Sequence, residues 1–262
     1  MLTEPEKVTV SISESEHVTT LLYFAAKKGR AGITVLLGHG AGANQMSPFM
    51  RMFASGLAAR GFDAMTFNFL YAEQGRRFPD PKAKLESCYR RVIAAALANK
   101  KLKNNRLIIG GKSMGGRIAS QVAAEKIGLA ELTRPNEGRE RSKKAGSKTD
   151  TGNNEKKNAG ALAGLVFLGY PLHPPGKPEQ SRDQHLKDIR APMLFVQGSR
   201  DAFGAPAELR SVIKKLRLPA TLQVIEGGDH SFKVPKGASV PQQKVYETAI
   251  DDVARWLHEE VE

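Results

Sequence analysis

Short apolar runs recur along this chain and predict the strands of a sheet. Residues 8–12 and 18–24 largely alternate apolar and polar positions, which predicts an antiparallel strand pair. The later runs are more uniformly apolar, as expected for strands that are covered on both faces. They comprise residues 33–37, 106–109, 165–168 and 193–196, with less uniform runs at 62–67 and 221–225.

Segments with a helical spacing of apolar residues lie between these runs. Ser47 and Pro48 predict an N-cap and a first helical turn, after which Phe49, Phe53 and Leu57 fall on one face. Further helices are predicted over residues 84–99, 114–126, 206–216 and 241–259. Strands that alternate with helices indicate a mainly parallel sheet with helices on both faces, connected by right-handed crossovers.

One segment interrupts this alternation. Residues 134–158 contain eight Lys or Arg, four Asp or Glu, and no apolar residue larger than alanine. Such a segment cannot bury enough surface to offset the entropy lost on ordering, so we predict a disordered basic insertion. A domain boundary is the competing interpretation, but strand-like runs continue beyond the segment. We therefore predict a single α/β domain over residues 1–262.

Composition narrows the class of protein without identifying it. Hydrophobic residues make up 40% of the chain, and no apolar run approaches the roughly 20 residues that a transmembrane helix needs. The acidic N-terminus does not resemble a signal peptide. The single cysteine, Cys88, excludes an internal disulfide and a multi-cysteine metal site, and we expect it to be a half-buried structural residue. We expect a cytoplasmic protein.

The formal net charge of +13 is unusually high. Basic proteins can bind nucleic acid through a patch of Lys and Arg. Here +4 of the charge falls in residues 134–158, and the remainder is scattered without a basic stripe interleaved with aromatic residues. We therefore expect neither a nucleic-acid partner nor a membrane partner.

Ser113 lies where a predicted strand meets a predicted helix. The turn at 111–115 is Gly-Lys-Ser-Met-Gly, between the strand at 106–109 and the helix at 114–126. A serine on such a turn adopts strained backbone angles that expose its hydroxyl, and the flanking glycines leave room for the neighbouring chain. Gly-Lys-Ser also ends phosphate-binding P-loops, but that motif needs a glycine where this chain has Arg106. We predict a nucleophile elbow.

The loop after the strand at 33–37 consists mostly of small residues. Residues 38–43 are Gly-His-Gly-Ala-Gly-Ala and fit a dinucleotide-binding pattern, but that pattern expects an acid where Asn68 stands. An oxyanion loop fits better, since a serine hydrolase needs two backbone N–H groups for the tetrahedral intermediate. We predict that Ala41 and Met114 supply them. A glycine-rich turn without a ligand remains the alternative.

A general base and its orienting acid should follow the serine in the chain. Asp201 and His230 each follow a predicted strand, at the carboxyl end where such folds place their chemistry. We predict that His230 takes the proton from Ser113 and that Asp201 orients His230. A turn-forming aspartate and an ordinary loop histidine remain the alternative. Other candidates fit less well by chain order or position: His17, His39, His173, His185, His258, Asp188 and Glu226.

Five segments that span most of the chain carry a resemblance to a known family: residues 37–44, 110–117, 169–176, 197–201 and 227–232. Together they resemble the α/β-hydrolases of the dienelactone-hydrolase-like group, and within that group the bacterial relatives of testis-expressed and NSL-complex hydrolase-like proteins.

The resemblance implies an α/β-hydrolase fold with about eight strands, no cofactor, and a triad of Ser113, Asp201 and His230. Two features depart from the family. The insertion at 134–158 is unexpected, and true dienelactone hydrolases use cysteine as nucleophile, so their substrate is not carried over.

These residues predict a serine hydrolase that cleaves a small ester, thioester or amide through an acyl-enzyme. Only residues 172–190 separate two predicted strands, which leaves no room for a large lid domain and indicates an open site. Tyr170, His173 and Phe203 are the candidates for substrate contact. A non-catalytic binding or scaffold protein, and an acyltransferase that uses the same triad, remain the alternatives.

Overall fold

The computed structural model describes residues 4–125 and 162–261. Its strands are β1 Glu6–Ser11, β2 His17–Tyr23, β3 Ile33–Gly38, β4 Asp63–Phe67, β5 Arg106–Lys112, β6 Gly164–Leu168, β7 Met193–Gly198 and β8 Ala220–Ile225. Its helices are α1 Pro48–Ala59, α2 Leu70–Glu73, α3 Lys82–Ala98, α4 Met114–Ala124, α5 Pro206–Leu216 and α6 Gln242–Glu260, with one 3-10 turn at Leu186–Asp188.

The eight strands form one sheet in the order β1-β2-β4-β3-β5-β6-β7-β8. Strand β2 pairs antiparallel with β1 and β4, and every other pairing is parallel. This arrangement confirms the predicted mainly parallel sheet and the antiparallel pair at its start. Helix α2 and the 3-10 turn were not predicted, because elements this short show no periodicity. The predicted insertion at 134–158 lies outside the described residues.

The alternation of side chains along the strands builds one apolar core on each face of the sheet. On β5, Ile108 packs into the core that α1 and α6 cover, whereas Leu107 and Ile109 pack into the core that α3, α4 and α5 cover. The neighbouring parallel strands alternate in the same way, because their side chains point to opposite faces with a period of two. Both faces of the sheet are therefore covered by helices.

The carboxyl ends of β3 and β5 form the switch point of this topology. Strand β3 pairs with β4 on one side and with β5 on the other. The chain leaves β3 for α1 on one face and leaves β5 for α4 on the opposite face. The two connections diverge and leave a crevice at the edge of the sheet, which is where open α/β sheets bind their ligands.

Residues 169–192 connect β6 to β7 and contain only the 3-10 turn, so this connection holds no large lid domain. Within residues 4–125 and 162–261, no helix is both long and apolar enough to cross a membrane.

The crevice depends on a close approach between β3 and the turn after β5. A Cβ atom on Gly111 or on Gly115 would overlap the carbonyl oxygen of Gly38. Glycine is therefore required at both positions by packing, and at Gly111 also by its φ of +149°. The start of α4 lies directly against the end of β3.

We expect Gly115→Ala to lower the free energy of unfolding by about 3 kcal/mol, because the backbone of β3 or α4 has to move. The matched control is Gly56→Ala in α1, where the nearest atoms to the added Cβ all belong to the Ile250 side chain, the closest being Cδ1 at 2.7 Å, and none belongs to the backbone. There we expect a change below about 1 kcal/mol. Urea unfolding of both variants measures the difference, and equal losses would contradict the prediction.

Candidate active site

Ser113 occupies the strained turn between β5 and α4. Its backbone angles are φ 51° and ψ −115°, an unusual conformation for a residue other than glycine. The backbone N–H of Ser113 donates to Leu168 at the end of β6 (3.1 Å), and its carbonyl accepts from Arg117 in α4 (3.0 Å). Strand and helix therefore hold the turn from both sides, and the serine lines a cavity at the crevice.

The structure brings the three predicted triad residues together. The His230 Nε2 atom lies 2.8 Å from the Ser113 Oγ atom, and the His230 Nδ1 atom lies 2.8 Å from Asp201 Oδ2. These distances suit an Nδ1–H that donates to the carboxylate and an Nε2 that accepts from the serine hydroxyl. Ser113 comes from the elbow, Asp201 from the loop after β7, and His230 from the loop after β8.

Two further donors fix the carboxylate of Asp201, which is buried. The side-chain amide of Gln197 donates to Oδ2 (2.8 Å), and the backbone N–H of Phe203 donates to Oδ1 (2.8 Å). The same amide of Gln197 also reaches the carbonyl of Gly204 (2.8 Å). Sequence reasoning missed Gln197. Its signal was a polar residue near the end of an otherwise apolar strand.

The cavity beside Ser113 has a volume of about 680 Å³ and mostly apolar walls. Phe49 and Met52 come from the start of α1 and Tyr246 from α6. Phe203 forms part of the wall, as predicted for a substrate-contacting residue, and also packs on His230, with ring centroids 4.2 Å apart.

The two predicted oxyanion donors belong to two different segments of the chain. Ala41 lines the cavity on the loop after β3, and Met114 is the first residue of α4, where a helix leaves its N–H groups unpaired. Among the described residues, neither backbone N–H donates a hydrogen bond. Both are therefore available to a bound oxygen atom.

Hydrogen bonds of the His39 ring hold the loop that carries Ala41 in place. The backbone N–H of Phe69 donates to His39 Nε2 (3.1 Å), which leaves the proton on Nδ1, where it is donated to the carbonyl of Gly40 (2.9 Å). Burial lowers the pKa of His39 to about 4, so the ring is neutral at pH 7. A neutral ring with both nitrogens bonded joins the loop after β3 to the loop after β4.

Tyr170 and His173 do not line the cavity, which differs from the prediction. Tyr170 is buried in the core beside α4, and its hydroxyl donates to the carbonyl of Arg182 (3.2 Å). His173 lies under the loop that bears Phe203 and contacts Glu208 (3.1 Å). Both side chains support neighbouring segments.

Cys88 is fully buried rather than half-buried. Burial raises the pKa of its thiol to about 12, so a thiolate nucleophile at this position is disfavoured.

Residues 31–258 match the sequence model of a family described as Alpha/beta hydrolase domain. The match covers most of the chain, and the chain therefore belongs to the alpha/beta hydrolase family. Solved structures described as a dienelactone hydrolase and as a dienelactone hydrolase-like phosphotriesterase share the fold.

Three solved structures illustrate the likeness. A dienelactone hydrolase from Anabaena variabilis has 18% identity and a TM-score of 0.66, covering 99% of this chain and 100% of its own. A Xanthomonas campestris protein, described as an a/b serine hydrolase without lid, has 16% identity and a TM-score of 0.62, with coverages of 98% and 96%. An esterase from Pyrococcus furiosus has 14% identity and a TM-score of 0.68, with coverages of 99% and 92%. At these identities the likeness shows a shared fold.

The neutral, buried state of His39 makes the fold sensitive to acid. Its folded pKa of about 4 lies below the ordinary value of 6.5, so the unfolded chain binds more protons as the pH falls between these values. Stability is then lost, by about 2 kcal/mol between pH 7 and pH 5 from this group. We expect His39→Gln, whose amide oxygen can accept from Phe69, to lose correspondingly less over that interval.

Urea unfolding at several pH values measures the effect. The control is His17→Gln, at an exposed position, which should keep the wild-type pH dependence. If His39→Gln and the wild type lose the same stability between pH 7 and pH 5, the neutral His39 is not the cause.

Proposed function

We propose that this protein is a serine hydrolase that cleaves a small ester, thioester or amide through an acyl-enzyme. The observation that carries the proposal is the chain of contacts from Ser113 Oγ to His230 Nε2 (2.8 Å) and from His230 Nδ1 to Asp201 (2.8 Å). In this arrangement a neutral imidazole can accept the serine proton, and the buried carboxylate stabilises the imidazolium that forms.

The reaction follows from these contacts. Ser113 Oγ attacks the substrate carbonyl carbon while its proton passes to His230, and the carbonyl oxygen becomes an oxyanion. When the tetrahedral intermediate collapses, the bond to the leaving group breaks and the leaving group takes the proton from His230. Water then attacks the acyl-enzyme, His230 again accepts the proton, and the second collapse returns it to Ser113 and releases the acid.

The oxyanion is stabilised by the backbone N–H groups of Ala41 and Met114. Ala41 lines the cavity and Met114 directly follows Ser113, and neither N–H has another partner among the described residues. Donors that are already in place need no reorganisation when the charge develops, and each such donor contributes roughly 10²–10³ in rate. The bond between His39 and Phe69 keeps the loop with Ala41 in position.

The cavity supports a small acyl substrate. Its volume of about 680 Å³ lies in the range of small-ligand pockets, and the connection from β6 to β7 adds no large lid over it. Cytoplasmic location and the closer resemblance to NSL-complex hydrolase-like proteins stay predictions.

Fluorophosphonate labelling tests the nucleophile. We expect the wild type to be labelled and Ser113→Ala to be unlabelled, because the probe traps an activated serine. Asp201→Asn should lower kcat towards short acyl esters by roughly 10³–10⁴, because an amide no longer holds His230 in the required tautomer.

The matched control is Ser55→Ala, on α1 and outside the cavity, which should be labelled like the wild type. A folded wild-type protein that takes no label, with the same turnover in wild type and Ser113→Ala, would remove the hydrolase proposal. Labelling accompanied by transfer to an added alcohol, without acid release, would indicate an acyltransferase instead.

The apolar wall predicts a limit on acyl length. Filling the cavity with Met52→Trp should lower kcat/KM for a hexanoyl ester about tenfold and leave the acetyl ester nearly unchanged. Met46→Trp is the control, because Met46 is exposed and does not line this cavity. Esters with a fixed alcohol and acyl chains of two to eight carbons are the measurement, and an equal loss for every chain length would contradict the assignment.

A further inference from the structure

The residue that supplies the base lies on a long irregular connection. Residues 226–241 join β8 to α6 and contain no helix or strand. Several contacts fix parts of this loop. Asp229 accepts from the backbone of Ser231 (2.7 Å) and Lys233 (2.9 Å), and Gln242 donates to the carbonyl of Phe232 (2.9 Å). None of these contacts is made by His230 itself.

The backbone of His230 makes one hydrogen bond to the residues that the structure describes. The Nζ atom of Lys112 donates to the His230 carbonyl oxygen, at 2.6 Å. Lys112 is the last residue of β5 and directly precedes Ser113 in the chain. One side chain therefore connects the rigid elbow that holds the nucleophile to the loop residue that holds the base.

The environment of this ammonium group is unusual for lysine. Lys112 is only 8% exposed, and its Nζ lies 5.7 Å from the centre of the Phe49 ring. Burial lowers the pKa of Lys112 to about 8, while the carboxylates of Asp201 and Asp229 oppose that shift. The group stays mostly protonated at pH 7, and a buried ammonium is costly unless hydrogen bonds compensate it.

Such a cost has to be offset by the contacts that the ammonium makes. A methionine at position 112 would avoid the cost of burying a charge, but it would leave the carbonyl of His230 without its one partner among the described residues. The presence of a lysine is explained if a hydrogen-bond donor is needed at the carbonyl of His230.

We propose that Lys112 is a positioning residue for the hydrolase proposed above. By holding the backbone carbonyl of His230, its ammonium group keeps the imidazole within hydrogen-bonding distance of Ser113. Lys112 itself does not take part in proton transfer. The expected effect on kcat rests on the proposed function. The expected effect on the position of the His230 ring rests only on the contact between Lys112 and His230.

The test is Lys112→Met, which keeps the length of the side chain and removes the donor. We expect kcat for an acetyl or butyryl ester to fall about tenfold to a hundredfold, with KM within threefold and the protein still folded at the assay temperature. The control is Lys215→Met, at an exposed position on α5, which should behave like the wild type.

A second readout needs no substrate. The Nδ1 proton of His230, donated to Asp201, should give a downfield imidazole signal in proton NMR, assigned by its loss in His230→Gln. We expect this signal to broaden or disappear in Lys112→Met. Should that variant fail to fold, Lys112→Gln replaces it, because the shorter amide cannot reach the carbonyl, and the same two losses are expected.

Each result decides between the proposals. A folded variant with wild-type kcat, or with a sharp His230 signal, overturns the role of Lys112. If both Lys112 variants lose kcat only in proportion to the folded protein lost at the assay temperature, the role of Lys112 is structural and the proposal is overturned. If the wild type takes no fluorophosphonate label while the His230 signal still depends on Lys112, the hydrolase proposal fails and the positioning contact stands.

Discussion

The contact between the end of β3 and the turn that carries Ser113 constrains the rest of this site. With no side chain on Gly111 or Gly115, the elbow lies directly against Gly38. The strained backbone of Ser113 is held there by hydrogen bonds to β6 and α4, so neighbouring elements and not the turn itself stabilise the conformation.

The three residues of the proposed triad are held in place by different numbers of contacts. Ser113 sits at the junction of a central strand and a helix, and Asp201 is fixed by Gln197 and by the backbone of Phe203. His230 depends on a loop, and its backbone has a single partner among the described residues, Lys112. His230 has to accept a proton from Ser113 and then donate it to the leaving group, so the position of its ring relative to both groups matters for turnover.

Much of the fold could be predicted, because strands buried on both faces produce uninterrupted apolar runs and the helices between them show clear periodicity. Ser113, Asp201 and His230 were predictable because each follows the carboxyl end of a strand. The direction of a side chain just beyond a strand is harder to predict. Gly169, with φ +69°, turns the chain so that Tyr170 enters the core, and no pattern reveals that angle. Lys112 was missed because its partner is distant in the chain.

Gly169 has a second consequence, for protein design. A Cβ at this position would lie 2.6 Å from the His230 carbonyl oxygen and 3.2 Å from Lys112 Nζ. The small volume beside the His230 carbonyl is therefore bounded by the end of β5, the residue after β6 and the loop after β8. Any larger residue at 169 would press on both the Lys112 side chain and the His230 carbonyl. A scaffold that receives the serine, histidine and aspartate would therefore also need a glycine at the position equivalent to Gly169.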